Sequence, residues 1–232
     1  MTYKVILITG SSKGIGRALV EYYSPTHIVI GCSRSSSTYS HQNYTHLICD
    51  ISDTTSVKNL IFDINKLFPR IDILVNNAGV NPNDGPFLLS KLHDINTAFQ
   101  TNVVGTMNIT KLVALKMVKQ KFGRIITLGS MLTHHTVTGS SIYTACKYSL
   151  IGFNKVIAKE FFRFGITCNL ISPAAIESDL MLSVDKKTMA NILSMNANQS
   201  VGDVKELITV LDFLISDNSA TITSQNIFLG GV

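Results

Sequence analysis

No apolar run in the sequence approaches the roughly 18 residues that would read as a membrane span, so no membrane attachment is expected. No cysteine stands at Cys-x-x-Cys spacing from another. Cys32, Cys49, Cys146 and Cys168 each lie in or beside an apolar segment and read as buried free thiols of a reduced compartment. Cys146 lies between Tyr143 and Lys147 and is also a candidate redox-sensitive thiol. No basic stripe interleaved with aromatics appears: 20 Lys and Arg against 15 Asp and Glu give a net charge of +5, but they are scattered. That disfavours nucleic-acid binding and leaves room for attraction of an anionic cofactor or an acidic carrier protein. No ligand set at metal spacing is apparent, and no metal is expected. The first strand-like run starts at Tyr3, which leaves no space for a cleavable leader; the expectation is a cytoplasmic protein.

What is present is an alternation. The 232 residues are 45% hydrophobic, enough for one domain over 1–232 with a sizeable core. Short, nearly continuous apolar runs occur at Lys4–Thr9, His27–Cys32, His46–Cys49, Ile71–Asn76, Arg124–Leu128, Ile166–Ile171 and Asn226–Leu229. Such runs suit strands buried on both faces of a parallel sheet. Helical stretches fall between them at Ile15–Ser24, Thr55–Phe68, Ile95–Lys121, Ser141–Phe164 and Val204–Ser216. Asp53 or Thr54 can cap the second and Asp203 the last. The pattern predicts a three-layer, doubly wound parallel α/β sheet of about seven strands with helices on both faces. Residues 174–202 have the weakest periodicity and read as an excursion off the sheet, in which Met181, Met189, Ile192, Leu193 and Met195 form either a lid over a substrate or ordinary packing.

After the first strand comes Thr9-Gly-Ser-Ser-Lys-Gly-Ile-Gly16. Gly10 suits a tight turn, Gly14 a close backbone approach to pyrophosphate, and Gly16 close helix–strand packing, with the helix N-terminus facing phosphate. Ser12 and Ile15 belong to the same loop. The second strand ends Gly31-Cys-Ser-Arg34, without the carboxylate that would bond a ribose 2′-hydroxyl. Arg34, beside Ser33, and Lys13 offer two cations for a 2′-phosphate, so NADP(H) is the expected dinucleotide.

Tyr143 and Lys147 are four apart at the start of a helix and share one face. An ammonium there favours the phenolate, which suits a tyrosine that gives and takes a proton at a carbonyl oxygen. Ser130 follows the fifth strand, at the carboxyl edge where doubly wound sheets bind ligands, and can hold that oxygen.

Taken in order, the glycine loop, Asp50 after the third strand, Asn76-Asn-Ala-Gly79, Asn102, Ser130, Tyr143-Thr-Ala-Cys-Lys147 and Pro173 resemble the short-chain dehydrogenase/reductase family along nearly the whole chain. The resemblance implies a Rossmann-like fold and a catalytic tetrad of Asn102, Ser130, Tyr143 and Lys147. In it, Lys147 also grips the nicotinamide ribose and Asn102 holds a water in a proton relay. Asp50 and Ile51 would flank the adenine, while Asn77, Ala78 and Gly79 would line the cofactor. Pro173, Ile176 and Ser178 would border the nicotinamide. The family pattern has Pro-Gly where this chain has Pro173-Ala174, and a glycine where it has Ser224 between Thr223 and Gln225.

Within the family the chain is most similar to the 3-oxoacyl-[acyl-carrier-protein] reductases of fatty acid biosynthesis. That implies NADPH-dependent reduction of a ketone, with Lys121 at one of two basic positions near the site entrance for an acidic acyl carrier protein; the second position holds Phe164, one residue after Arg163. Reduction of a small ketone, sugar or polyol, and a catalytically idle NADP(H) sensor or scaffold, stay open. His134 and His135 lie in a loop that borders the substrate or is simply solvated. The resemblance also implies a homotetramer or homodimer through the two long helices, with Ile109, Leu112, Val113, Leu115 and Met117 either at that interface or in the core.

Overall fold

A computed structural model describes residues 3–81, 85–176 and 186–231, the side chains of 186–188 excepted. Strand β1 (Val5–Thr9) leads into α1 (Gly14–Tyr23), then β2 (Ile28–Ser33) and β3 (Tyr44–Ile48). Helix α2 (Thr54–Leu67) returns to β4 (Ile73–Asn76); α3 (Leu92–Phe99) and α4 (Thr106–Gln120) return to β5 (Gly123–Leu128). Helix α5 (Ser141–Phe162) returns to β6 (Ile166–Ser172), and α6 (Lys186–Ser194) and α7 (Val204–Ile215) precede β7 (Asn226–Phe228). The seven strands form one parallel sheet in the order β3-β2-β1-β4-β5-β6-β7. This is the doubly wound Rossmann-like sheet that the alternation of runs predicts.

The period-two geometry of a strand sorts the apolar residues onto two cores. Val5 and Leu7 point to one face, with Ile30, Leu74 and Ile125, against Val57, Leu60 and Ile64 of α2, Ile109, Val113 and Met117 of α4, and Ile157 of α5. Ile6 and Ile8 point to the other, with Val29, Ile73 and Val75, against Leu19, Val20 and Tyr23 of α1 and Leu207, Leu211 and Leu214 of α7. Both faces are covered, so β1 and β4 carry no alternation of polar and apolar residues, and their runs look continuous.

Several boundaries differ from the sequence reading. Strand β3 starts at Tyr44, because the edge strand is only half-buried and lacks an apolar run, yet pairs Tyr44 with Val29 of β2. The stretch read as one helix from Ile95 is two, α3 and α4, joined by a turn of π-helix at Gln100–Gly105. Helix α2 is capped by Asp53, whose carboxylate accepts from the Thr55 N–H, and not by Thr54, which lies inside it. The excursion after β6 holds α6. Asp203 caps α7 as expected.

The crossovers reverse direction between β1 and β4. At such a switch point the loops at the carboxyl ends of the strands part and leave a crevice.

Candidate active site

The crevice is a cleft of about 580 Å³. The glycine loop forms its floor. Gly10 and Gly14 have φ of +69° and +55°, which a side chain would strain. The Gly10 and Ser11 N–H groups donate to the Cys32 carbonyl, holding the loop to the end of β2. A Cβ on Gly16 would press on the Gly10 carbonyl and come within 2.5 Å of Asn77 Nδ2, so only glycine allows α1 to start this close to the loop. The first turn of α1 carries no acidic residue, which leaves its positive dipole end for an anion. Gly10, Ser12, Lys13, Gly14 and Ile15 line the cleft; Gly16 sits behind them as a spacer.

At the outer end, Ser33, Arg34 and Ser35 border the cleft with Lys13, and the end of β2 carries no carboxylate. Asp50 and Ile51, after the neighbouring strand β3, line the cleft as well. The Asp50 carboxylate accepts from the Ser52 N–H at 2.9 Å and the Ser52 hydroxyl at 2.6 Å, so it caps a turn and lines the cleft at once.

The segment after β4 is tied to the glycine loop. Thr9 Oγ1 accepts from the Asn77 and Ala78 N–H groups, and Asn77 Nδ2 donates to the Thr9 and Gly10 carbonyls at 2.8 and 3.1 Å. Asn76 lies beneath, donating to Thr110 and Thr127 in the core. Asn77, Ala78, Gly79 and Val80 line the cleft. Asn102 does not. It sits buried in the π turn, its Oδ1 accepting from the Val80 N–H and its Nδ2 donating to the Val80 carbonyl, both at 2.8 Å. A π turn inserts one extra residue and re-aims side chains, and such turns are frequent at functional sites. Both ends of the amide bond Val80, and the side chain also bonds Cys146, so it braces the Gly79–Val80 segment.

Ser130 follows β5, and its Oγ accepts from the Leu132 N–H at 3.2 Å. Tyr143 and Lys147 project from the first turns of α5 into the same cleft. Lys147 is fully buried, donates to the Leu128 carbonyl at 2.8 Å and lies 5.5 Å from the centre of the Tyr143 ring. Burial lowers its pKa from 10.5 to about 8, which leaves it a cation at neutral pH. Pro173 and Ile176 close the far wall, and Ile176 forms a bridge with Gly202. Ser178 and Met181 lie outside the described residues.

Beyond Tyr143 the cleft turns apolar, with Leu128, Met131, Leu132, Ala174, Met189 and Ile192. Met189 and Ile192 of α6 line it, with Ile192 packed on Met131 and Ala174, whereas Leu193 and Met195 do not line it. Met131, Leu132 and Ala174 carried no sequence signal of their own; only the packing around Ser130 selects them. His134 and His135 do not line the cleft. Their rings meet edge-on, and His134 rests against Phe228. Cys146 is buried against Ala98, Val103 and Ile142, and desolvation raises its pKa, which opposes a role as a reactive thiol. Lys121 follows α4 and precedes β5, and Arg163 and Phe164 precede β6. These three therefore stand at the amino edge of the sheet, opposite the cleft, and do not border its entrance in this chain. Among the described residues no group of three His, Cys, Asp or Glu is placed to hold a metal, and no helix is long and apolar enough to cross a membrane.

Comparison with known proteins agrees with this fold. The family model of the short chain dehydrogenases matches residues 4–189. The 3-oxoacyl-[acyl-carrier-protein] reductase of Escherichia coli is 34% identical over 235 residues, 98% of this chain and 96% of that protein. Its namesake in Haemophilus influenzae is 33% identical over 238 residues, 100% of this chain and 98% of that one. The crystal structure of levodione reductase superposes with a TM-score of 0.91 at 24% identity, covering 98% of this chain and 96% of the other, a likeness of fold. The chain thus belongs to the short-chain dehydrogenase/reductase family, oxidoreductases that interconvert carbonyl and hydroxyl groups with a nicotinamide cofactor.

Proposed function

We propose that the protein reduces the ketone of an acyl-type substrate to an alcohol with NADPH, using Tyr143 as proton donor. The observation that carries the reading is the cleft itself: Ser130, Tyr143 and buried Lys147 meet where a cation-rimmed outer half gives way to an apolar inner half. The outer half fits a dinucleotide with a 2′-phosphate, by its glycine floor and helix N-terminus and by Lys13 and Arg34 where a carboxylate would favour NAD. The inner half offers apolar side chains where a sugar or polyol would need hydrogen-bonding partners, and this favours a 3-oxoacyl thioester, the substrate class in the names of the relatives above.

The cofactor, when bound, supplies the hydride. The chain's own groups do the rest. The Ser130 hydroxyl holds the carbonyl oxygen, and Tyr143 Oη gives it a proton as negative charge develops there. The Lys147 ammonium stabilises the phenolate left behind and holds the nicotinamide ribose. Asn102 holds Gly79 and Val80 in place against the cofactor. In this reading its amide is a brace, and the proton-relay role that the family resemblance implies falls to its main chain.

The test is NADPH oxidation followed by absorbance with an acetoacetyl thioester, small ketones and a keto-sugar, repeated with NADH. Tyr143→Phe should still bind NADPH and lose a factor of about 10² or more in kcat. Tight NADPH binding without turnover of any carbonyl would move the assignment to a cofactor sensor or scaffold, and a preference for NADH would overturn the reading of Lys13 and Arg34.

A further inference from the structure

The polar cluster beside the cleft that has no role so far lies where β2 and β3 end. His46 of β3 is centred in it, with Gly31 of β2 as its register partner. His46 Nε2 is 3.0 Å from the Ser35 carbonyl oxygen and 3.2 Å from Ser33 Oγ, and Ser33 Oγ itself donates to the Ser35 carbonyl at 2.7 Å. A carbonyl only accepts, so Nε2 carries the ring proton and Nδ1 is the acceptor. The Tyr44 hydroxyl donates to Nδ1 at 2.7 Å, which sets that tautomer. Ser12 Oγ of the glycine loop lies 3.4 Å from Ser35 Oγ and joins that loop to the same cluster. Gly31 makes the space: a Cβ there would collide with Ser11 Oγ and come within 2.5 Å of Tyr44 Oη.

Two of the residues that His46 contacts, Ser33 and Ser35, flank Arg34. We infer that His46 is a specificity-determining positioning residue, which ties the Ser33 side chain and the Ser35 carbonyl on either side of Arg34 so that the guanidinium faces the adenosine-ribose end of the cleft, where it receives a 2′-phosphate. The inference rests on the NADP(H) reading. Its physical basis is preorganisation. An exposed arginine on an unclamped serine-rich loop must be ordered when the phosphate binds, which weakens binding; a loop already held at Ser33 and Ser35 avoids most of that cost. The clamp acts on the 2′-phosphate alone, so a cofactor without it should not sense His46.

Isothermal titration with adenosine 2′,5′-bisphosphate and with adenosine 5′-monophosphate tests this without turnover, and NADPH and NADH kinetics repeat it in the working enzyme. Wild type is expected to prefer the bisphosphate. His46→Phe, which keeps a ring but no hydrogen bond, is expected to lose about ten-fold in bisphosphate affinity, the scale of one hydrogen bond, with monophosphate affinity unchanged. His46→Gln, whose amide can still donate to the Ser35 carbonyl, should recover most of the loss. In an Arg34→Ala background His46→Phe should have no further effect. Tyr44→Phe, which removes the bond to Nδ1, should lose less in the same direction, and it carries the test if His46→Phe does not fold. A wild type that prefers the bisphosphate, combined with a His46→Phe that keeps that preference or weakens both nucleotides alike, overturns the inference and leaves the NADP(H) reading intact. A wild type that binds both nucleotides alike overturns both.

Discussion

Lys147 shows at the scale of one residue how function is held against stability. It is fully buried with one hydrogen bond, to the Leu128 carbonyl, and burial brings its pKa from 10.5 to about 8. The folded state therefore binds fewer protons than the unfolded state between pH 8 and 10.5, and stability rises with pH across that window. Below it the buried charge costs on the order of 3 kcal/mol. Lys147→Met should then raise the melting temperature at pH 7 by about 5 °C, after allowing for the lost hydrogen bond, while abolishing reduction. The difference between variant and wild type should shrink as pH rises from 8 to 10.5; a constant difference in melting scans would refute the assignment. Gly16 is the opposite case, a residue whose worth is the absence of a side chain. Gly16→Ala pushes a methyl onto the Gly10 carbonyl and should cost about 2 kcal/mol by denaturant titration, with NADPH affinity falling alongside. Both residues were legible in the sequence, Gly16 from its place in the loop and Lys147 from its spacing to Tyr143. The depth at which Lys147 lies was not, because burial is a sum over α5, β5 and the excursion.

Among the elements, strands were the more legible. Those buried on both faces show themselves as apolar runs, and β1, β4, β5 and β6 fall within a residue or two of the sequence reading. The edge strand β3 was displaced because its burial is partial. The π turn at Gln100–Gly105 was invisible, since hydrophobic periodicity continues through it; what demands it is the packing of α3 on α5 together with the bond from Asn102 to Val80. The turn into β7 supplies a further test. Ser224, where the family favours glycine, has φ of +66°, and its N–H donates to the Cys168 carbonyl. A left-handed conformation costs a residue with a Cβ about 1 kcal/mol, so Ser224→Gly should stabilise the protein by about that amount in chemical denaturation without changing kcat.

The whole molecule carries an outward face that the sheet does not use. Of the five residues weighed for an interface, Ile109, Val113 and Met117 are in the core, Leu112 packs against it, and only Leu115 is exposed. Leu115 stands with Val104 near or on α4, and Tyr148, Val156 and Phe162 are exposed on α5. We propose that these residues are the surface of the homotetramer or homodimer that the family resemblance implies. Light scattering should give a multiple of the chain mass, and Leu115→Lys with Val156→Lys should reduce it to one. A monomeric wild type at micromolar concentration would dismiss the assembly.

By itself the sequence determined the strand–helix alternation, the glycine loop, the pairing of Tyr143 with Lys147 and the absence of a carboxylate at the end of β2. These are local patterns, written in spacing and in residues that few other roles tolerate. The tertiary structure alone decided that Asn102 braces Val80, that Met131 and Ile192 share an apolar wall, that Lys121 stands opposite the cleft and that His46 bonds Ser35 beside Arg34. Those relations join residues from 11 to more than 60 positions apart, and only the stacking of parallel strands brings them together.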